Sequence, residues 1–124
     1  MATITEDYVS FETAKLLKEK GFDEICYLGY NKNGEYFPTS NRTNSQIIQP
    51  DFCFICCPTL QMAMKWLGEV HNIHIVPIHV ENRTYRAKIN GLSIFELDNP
   101  SVYLYGKYEY VIEFAIKYAL EKFI

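Results

Sequence analysis

The sequence predicts an α+β fold, three helices packed on a mainly antiparallel sheet of about five strands, in the chain order α-β-β-β-α-β-β-β-α. Three observations carry this. The stretch 58–80, PTLQMAMKWLGEVHNIHIVPIHV, passes from a 3.6-residue apolar period straight into a period of two. Two Asn-Gly pairs, Asn33-Gly34 and Asn90-Gly91, each sit between short apolar segments, the pattern of a tight turn joining antiparallel strands. Near the C-terminus, Glu109, Glu113, Lys117 and Glu121 recur every four residues while nearly every other position is apolar, the signature of a helix covered on most of its circumference. A chain of 124 residues fits one domain, 1–124. A domain of that size buries roughly two-thirds of its unfolded surface, so neither a metal nor a disulfide is needed to hold it.

From the start of the chain, residues 1–9 read as a short tail before a helix over 11–20. Ser10 is suited to cap that helix with its hydroxyl, and Glu12 sits at the positive end of the helix dipole. Gly21 follows the last turn, where a left-handed conformation is needed, and Phe22 can fold back on Leu17. The segments ICYLGY and EYFPT flank Asn31-Lys32-Asn33-Gly34 and make the first hairpin. Residues 40–50, SNRTNSQIIQP, are polar and aperiodic, so they are the loop expected to fold over a ligand if any loop does. FCFICC, 52–57, is a short apolar run between prolines, consistent with a strand buried on both faces.

The central helix is expected over 59–71. Leu60, Ala63, Met64, Leu67 and Val70 form its buried stripe, with Gln61, Lys65 and Glu69 opposite. Met62 and Trp66, an i to i+4 pair, widen the apolar surface beyond a single seam. That width is either covered by the chain's own loops or offered to a partner subunit. In the strand that follows, Ile73 and Ile75 alternate with His74, and Ile78 and Val80 with His79, in opposite phase. A bulge at Val76-Pro77 would restore the register, on a strand that lies at an edge or is irregular there, because proline has no donor for the ladder. Residues 84–89 and 92–97 then form a second hairpin about Asn90-Gly91, and Asp98-Asn99-Pro100 breaks it. The last helix runs over 108–123.

Charge and patterning narrow the function classes. Net charge is −3 and Lys and Arg are scattered, which argues against a surface that tracks phosphates; nucleic acid is not an expected partner. No apolar run approaches the length of a membrane span, and MATITEDYVS is not a basic-then-hydrophobic leader, so a cytoplasmic location without a membrane partner is expected. The triplets Asn41-Arg42-Thr43 and Asn82-Arg83-Thr84 are then polar turn residues. In a reducing compartment Cys26, Cys53, Cys56 and Cys57 are expected as small buried apolar groups. A redox site at Cys53-x-x-Cys56 is disfavoured because in a strand these two point to opposite faces; Cys57, at the start of the helix, is the one thiol placed to react. A zinc site from Cys53, Cys56, His71 and His74 has a spacing near the known range but uses residues already committed to an apolar helix. His74 and His79 are expected to share a strand face across the bulge. No nucleophile and base, glycine-rich phosphate loop or carboxylate pair stands out. No catalytic residue, metal or cofactor is therefore assigned, and a non-enzymatic role is expected.

Aromatic density is what remains. Tyr103, Tyr105, Tyr108 and Tyr110 cluster before and into the last helix, and Tyr27, Tyr30, Tyr36 and Phe37 lie on the first hairpin. Tyrosine suits a protein interface or the stacking of a nucleotide base; it also suits a half-buried sheet face, where aromatics pair across strands. Two site readings follow. An interface would use Met62, Trp66, Tyr110 and Phe114, and a small-ligand site would use Tyr103, Tyr105 and Tyr108 with Arg42 from the polar loop.

The blocks ITEDYVSFETAKLLKEKGFDE, PTLQMAMKWLGEVHNI and IEFAIKYALEKFI resemble a group of small proteins carried by phages and prophages of gut Bacteroidales. In that group a His commonly follows Pro-Thr, where this chain has Leu60, and a Ser commonly precedes the last helix, where it has Lys107. The second departure removes an N-cap worth about 1 kcal/mol. The resemblance implies a context and no activity: accessory proteins of this size often bind a host factor or sequester a small signal molecule used in defence. The expectation is a non-enzymatic interaction protein working as a homodimer, with a nucleotide-type ligand binder as the alternative.

Overall fold

The computed structural model describes residues 7–44, 55–93 and 106–124, which fall in two compact units, Met1–Thr59 and Leu60–Ile124. The fold is α+β, and along the chain the described elements run helix, three strands, helix, three strands, helix.

In the first unit, helix α1 (Phe11–Glu19) begins where the Ser10 backbone is still extended and its hydroxyl accepts the Thr13 N–H at 3.3 Å. It ends at Gly21, φ 97°, with Phe22 N–H donating to the Leu17 carbonyl at 2.8 Å and Gly21 N–H to that of Lys18 at 3.2 Å. These two bonds satisfy carbonyls the helix leaves open, and they bring Phe22 down beside Leu17 in the buried interior. Strands β1 (Cys26–Tyr30), β2 (Tyr36–Arg42) and β3 (Ile55–Cys56) form an antiparallel sheet in the order β2-β1-β3. The β1–β2 turn is closed by Asn31, whose Oδ1 accepts the N–H groups of Asn33 and Glu35 at 2.8 and 3.0 Å. The register of β1 against β2 shifts between Cys26 and Leu28.

In the second unit, helix α2 (Leu60–His71) buries Leu60, Ala63, Trp66 and Leu67. Strands β4 (Ile75–Glu81), β5 (Thr84–Ile89) and β6 (Leu92–Ser93) form a second antiparallel sheet, β4-β5-β6. Asn82-Arg83 turns β4 into β5, and Asn90-Gly91 turns β5 into β6 with both residues at positive φ, 53° and 84°, as a hairpin of this twist requires. Gly106 bonds back to Tyr85 in both directions, at 2.7 and 3.0 Å. Helix α3 (Tyr108–Lys122) packs on β4, β5 and α2. Val111, Ile112, Ala115, Ile116, Ala119 and Leu120 are fully buried, facing the layer of Ile75, Ala87 and Ile89, while Glu109 and Glu121 stay in water. Lys107 makes no side-chain cap bond at its start.

Several expectations are corrected. The described strands form two three-stranded sheets instead of one sheet of about five, because each hairpin signal names a neighbour in sequence and is silent on how hairpins join. The bulge in β4 falls between His79 and Glu81; Val76 and Pro77 stay in regular register opposite Lys88 and Ala87, since an edge strand tolerates proline without one. With the alternation unbroken at Pro77, Val76 and Val80 are left exposed, at 51% and 42%, and His74, which precedes β4, and His79 do not share a face. Val70 lies on the buried side of α2 by periodicity, yet in the last turn of the helix it is 56% exposed. Of the apolar run 52–57, Ile55 and Cys56 are strand; residues 52–54, with 45–50 of the polar loop and 94–97 of the second hairpin, lie outside the described residues. No helix among the described residues is long and apolar enough to cross a membrane.

Candidate functional site

Two places gather side chains with chemistry, one in each unit. The first lies under the sheet β2-β1-β3. Adjacent strands β1 and β3 pair with Gly29 opposite Cys56 and Tyr30 opposite Ile55. Cys26, Cys56 and Cys57 are all buried thiols. Successive strand residues face opposite sides, and the two neighbours Cys56 and Cys57 meet different partners accordingly. Cys57 donates its S–H to the Val9 carbonyl at 3.4 Å, and the same carbonyl accepts the Tyr30 hydroxyl at 2.7 Å. A second hydroxyl bond, 2.9 Å, joins Tyr30 to Tyr36. With Tyr30's one proton committed to Val9, Tyr36 is the donor in that pair. Burial, then the bond to Tyr36, hold the Tyr30 hydroxyl above the usual tyrosine range. Phe11 meets the Tyr30 ring edge-on at 5.3 Å.

Cys56 instead meets Cys26, and their thiols are hydrogen-bonded to each other. Cys26 also reaches the Glu24 carbonyl at 3.6 Å. The shared bond, then burial, push the Cys26 thiol up, while that same bond, helped by Lys18 and opposed by burial and Asp23, brings Cys56 down. Next to it an open cleft of about 330 Å³ is lined by Lys18, Gly21, Phe22, Asp23 and Asn44. Asn44 is buried; its Nδ2 donates to the Phe22 carbonyl at 2.8 Å and its Oδ1 accepts the Cys56 N–H at 2.9 Å, so one amide ties the end of α1 to β3.

The second place is the outer flank of α3. Tyr110, Phe114 and Tyr118 recur at i, i+4 and i+8 and so line one side of the helix, with Phe123 following. Phe114 and Tyr118 stack with centroids 6.4 Å apart, and Phe123 meets Tyr118 edge-on at 5.9 Å. Tyr118 is buried, Phe114 half-buried, and Tyr110 and Phe123 are exposed at 58% and 43%.

The residues singled out from sequence are distributed as follows. Of the interface set, Tyr110 and Phe114 belong to this row; Met62 is half-buried on α2, and Trp66 is 6% exposed, edge-on to His71 at 4.8 Å. Of the ligand set, Tyr108 accepts from Gln61 Nε2 at 2.9 Å and meets Tyr85 edge-on at 5.4 Å. Tyr103, Tyr105 and the Arg42 side chain lie outside the described residues, as does Cys53; the Arg42 backbone pairs with Cys26. His79 bonds the Asn82 carbonyl at 2.6 Å and His74 bonds Asn72 at 2.9 Å. Among the described residues no group of three or more His, Cys, Asp or Glu is placed to hold a metal. The pairing of Cys26 with Cys56 and the role of Asn44 were both missed: Cys26 sits in a different strand, and Asn44 in a stretch without period. Comparison of the chain with protein-family models, with curated proteins and with solved structures finds no match.

Proposed function

We propose that the protein is a non-enzymatic interaction module that acts as a homodimer through the outer flank of α3, in the accessory repertoire of a phage or prophage. The observation that supports this is the row Tyr110, Phe114, Tyr118 and Phe123, in which stacked rings begin in the interior and end in water. Aromatic rings anchored on a rigid helix and reaching the surface give apolar contact at small cost in side-chain entropy, and a helix can meet its own copy about a two-fold axis. The test is the solution mass of the chain by light scattering, wild type against Tyr110→Asp. Twice the 14.5 kDa chain mass for the wild type and a shift to monomer for the variant is the expected result. A wild type that stays monomeric at high concentration overturns the dimer; capture of a host protein that Tyr110→Asp abolishes would then point to a heterologous partner for the same row.

A second reading, sequestration of a small nucleotide-type ligand, is favoured by the cleft at Lys18 and Asn44. Its volume of about 330 Å³ is at the small end of ligand sites, and its wall carries one cation, one carboxylate and one carboxamide beside Gly21 and Phe22. A rise in melting temperature with a nucleotide from a broad panel supports it, and no shift across the panel counts against it.

A further inference from the structure

The chain has two Asn-Gly pairs, Asn33-Gly34 between β1 and β2 and Asn90-Gly91 between β5 and β6, and their hydrogen bonding differs. At the first, the Gly34 N–H donates to the Asn31 carbonyl at 3.0 Å and the Asn33 N–H to Asn31 Oδ1 at 2.8 Å, so the glycine nitrogen is engaged. At the second, the Gly91 N–H has no acceptor among the described residues. Asn90 and Gly91 are both exposed, and the space where a Gly91 side chain would begin is open. The Asn90 carboxamide is held through its oxygen alone: Oδ1 accepts the His74 N–H at 2.8 Å, while Nδ2 has no partner among the described residues. A second bond, from the Asn90 N–H to the His74 carbonyl at 2.8 Å, completes the tie between this turn and the segment before β4.

We propose that Asn90 is a site of spontaneous deamidation, with the Gly91 nitrogen as the internal nucleophile and the His74 N–H as the donor that holds the charge developing on Oδ1. Ring closure onto an asparagine side chain is fastest when the next residue has no side chain to obstruct it and its N–H is not committed to a bond. Asn90-Gly91 meets both conditions, and Asn33-Gly34 only the first. The Gly91 N–H gives its proton to water, and the nitrogen attacks the Asn90 side-chain carbonyl carbon. Negative charge passes to Oδ1, where the 2.8 Å bond from the His74 N–H stabilises it. The bond from that carbon to Nδ2 then breaks, Nδ2 takes a proton from water and leaves as ammonia, and a cyclic imide joins Asn90 to Gly91. Water opens the imide at the side-chain carbonyl to give aspartate, or at the main-chain carbonyl to give isoaspartate. In sum one carboxamide and one water become one carboxylic acid and one ammonia. Once ionised, the new acid takes the net charge of −3 one step further negative. The two products act differently on the fold. Aspartate keeps an oxygen for the His74 N–H; isoaspartate lengthens the main chain inside the turn and so displaces both the pairing of Ile89 with Leu92 and the tie to His74.

The experiment incubates the folded full chain in mildly alkaline buffer beside a sample held in urea. Both are digested, and Asn33 and Asn90 are read by mass spectrometry with electron-transfer fragmentation, which separates aspartate from isoaspartate. The urea sample supplies the rate that local sequence alone gives each site. Expected in the folded chain are the mass gain of an acid over an amide at Asn90, with both products present, and a far stronger slowing relative to urea at Asn33. His74→Pro, which has no N–H to donate, should convert Asn90 more slowly than wild type. Folding that slows Asn90 as much as Asn33, or that leaves Asn90 an amide over a time that converts it in urea, overturns the proposal. An unchanged rate in His74→Pro overturns the role given to the His74 N–H. Because the two sites are compared within one wild-type molecule, a His74 variant that fails to fold leaves the main test intact.

Discussion

The sheet β2-β1-β3 and the layer formed by β4-β5-β6 with α3 stand in contrast in what they place inside. In the first, a carboxamide, a phenol and three thiols are buried, and the interior is tied together by bonds from side chains to backbone: Asn44 to Phe22 and Cys56, Tyr30 and Cys57 to Val9. In the second, seven α3 side chains are buried and all but the Tyr118 ring are aliphatic, while its aromatics step outward to the surface. A polar interior is specific and fails when one partner is lost, because the other is left desolvated; an aliphatic interior fails in proportion to the volume removed. The contrast also sorts the chemistry. Thiols lie inside the first unit, and groups that can bind lie outside the second.

The largest effect that would break the comparison belongs to the aliphatic layer. Leu120→Ala removes a fully buried side chain and should cost about 2–5 kcal/mol in a denaturant titration. A loss under about 1 kcal/mol would mean that the α3 layer is not packed to the density of a protein interior. Next, Asn44→Ala leaves the Cys56 N–H and the Phe22 carbonyl without their partner at little change in apolar area, and should cost about 1–3 kcal/mol, with faster amide exchange at Cys56. Tyr30→Phe deletes the hydroxyl bonded to Val9 and should cost about 0.5–1.5 kcal/mol at neutral pH.

Tyr30 also sharpens the comparison through pH. Its folded pKa is raised above the ordinary 10.0, so the contribution of the neutral hydroxyl is present in full below about pH 10 and is lost as pH climbs from there toward the raised value. Wild type should therefore lose stability in alkali more steeply than Tyr30→Phe; parallel alkaline curves would show that the Tyr30 hydroxyl is not held neutral by the fold. The smallest effect lies at the start of α3. Lys107→Ser supplies the missing side-chain acceptor and should stabilise the protein by up to about 1 kcal/mol, read as a rise in denaturation midpoint at unchanged slope.

Helices were the legible part of the sequence, because their signals are local. Ser10 and the Gly21-Phe22 ending bracket α1, and the spacing of Leu60, Ala63 and Leu67 brackets α2, each within a residue or two of the observed ends. The Asn-Gly turns placed both hairpins for the same reason. What was not legible depends on pairing at a distance. Nothing in FCFICC says that Cys56 will lie beside Gly29, so the influence of the Cys26 thiol on it could not be read; the expectation that Cys53 and Cys56 face opposite sides falls on Cys53, outside the described residues. Asn44 has no period or cap context to mark it as buried. In β4 the phase change at Val76-Pro77 was real in the sequence, but it was resolved by leaving Val76 and Val80 in water instead of by a bulge there.

Pro77 has a consequence for how copies of this chain meet. Among the described residues β4 is an outer strand of its sheet, and it carries a proline in mid-run and a backbone irregularity between His79 and Glu81. A foreign strand laid along that rim would find no donor at the proline and a displaced ladder two residues later, so growth into fibrils from this side is obstructed. A molecule protected in this way can display bare valines at high concentration without polymerising through them.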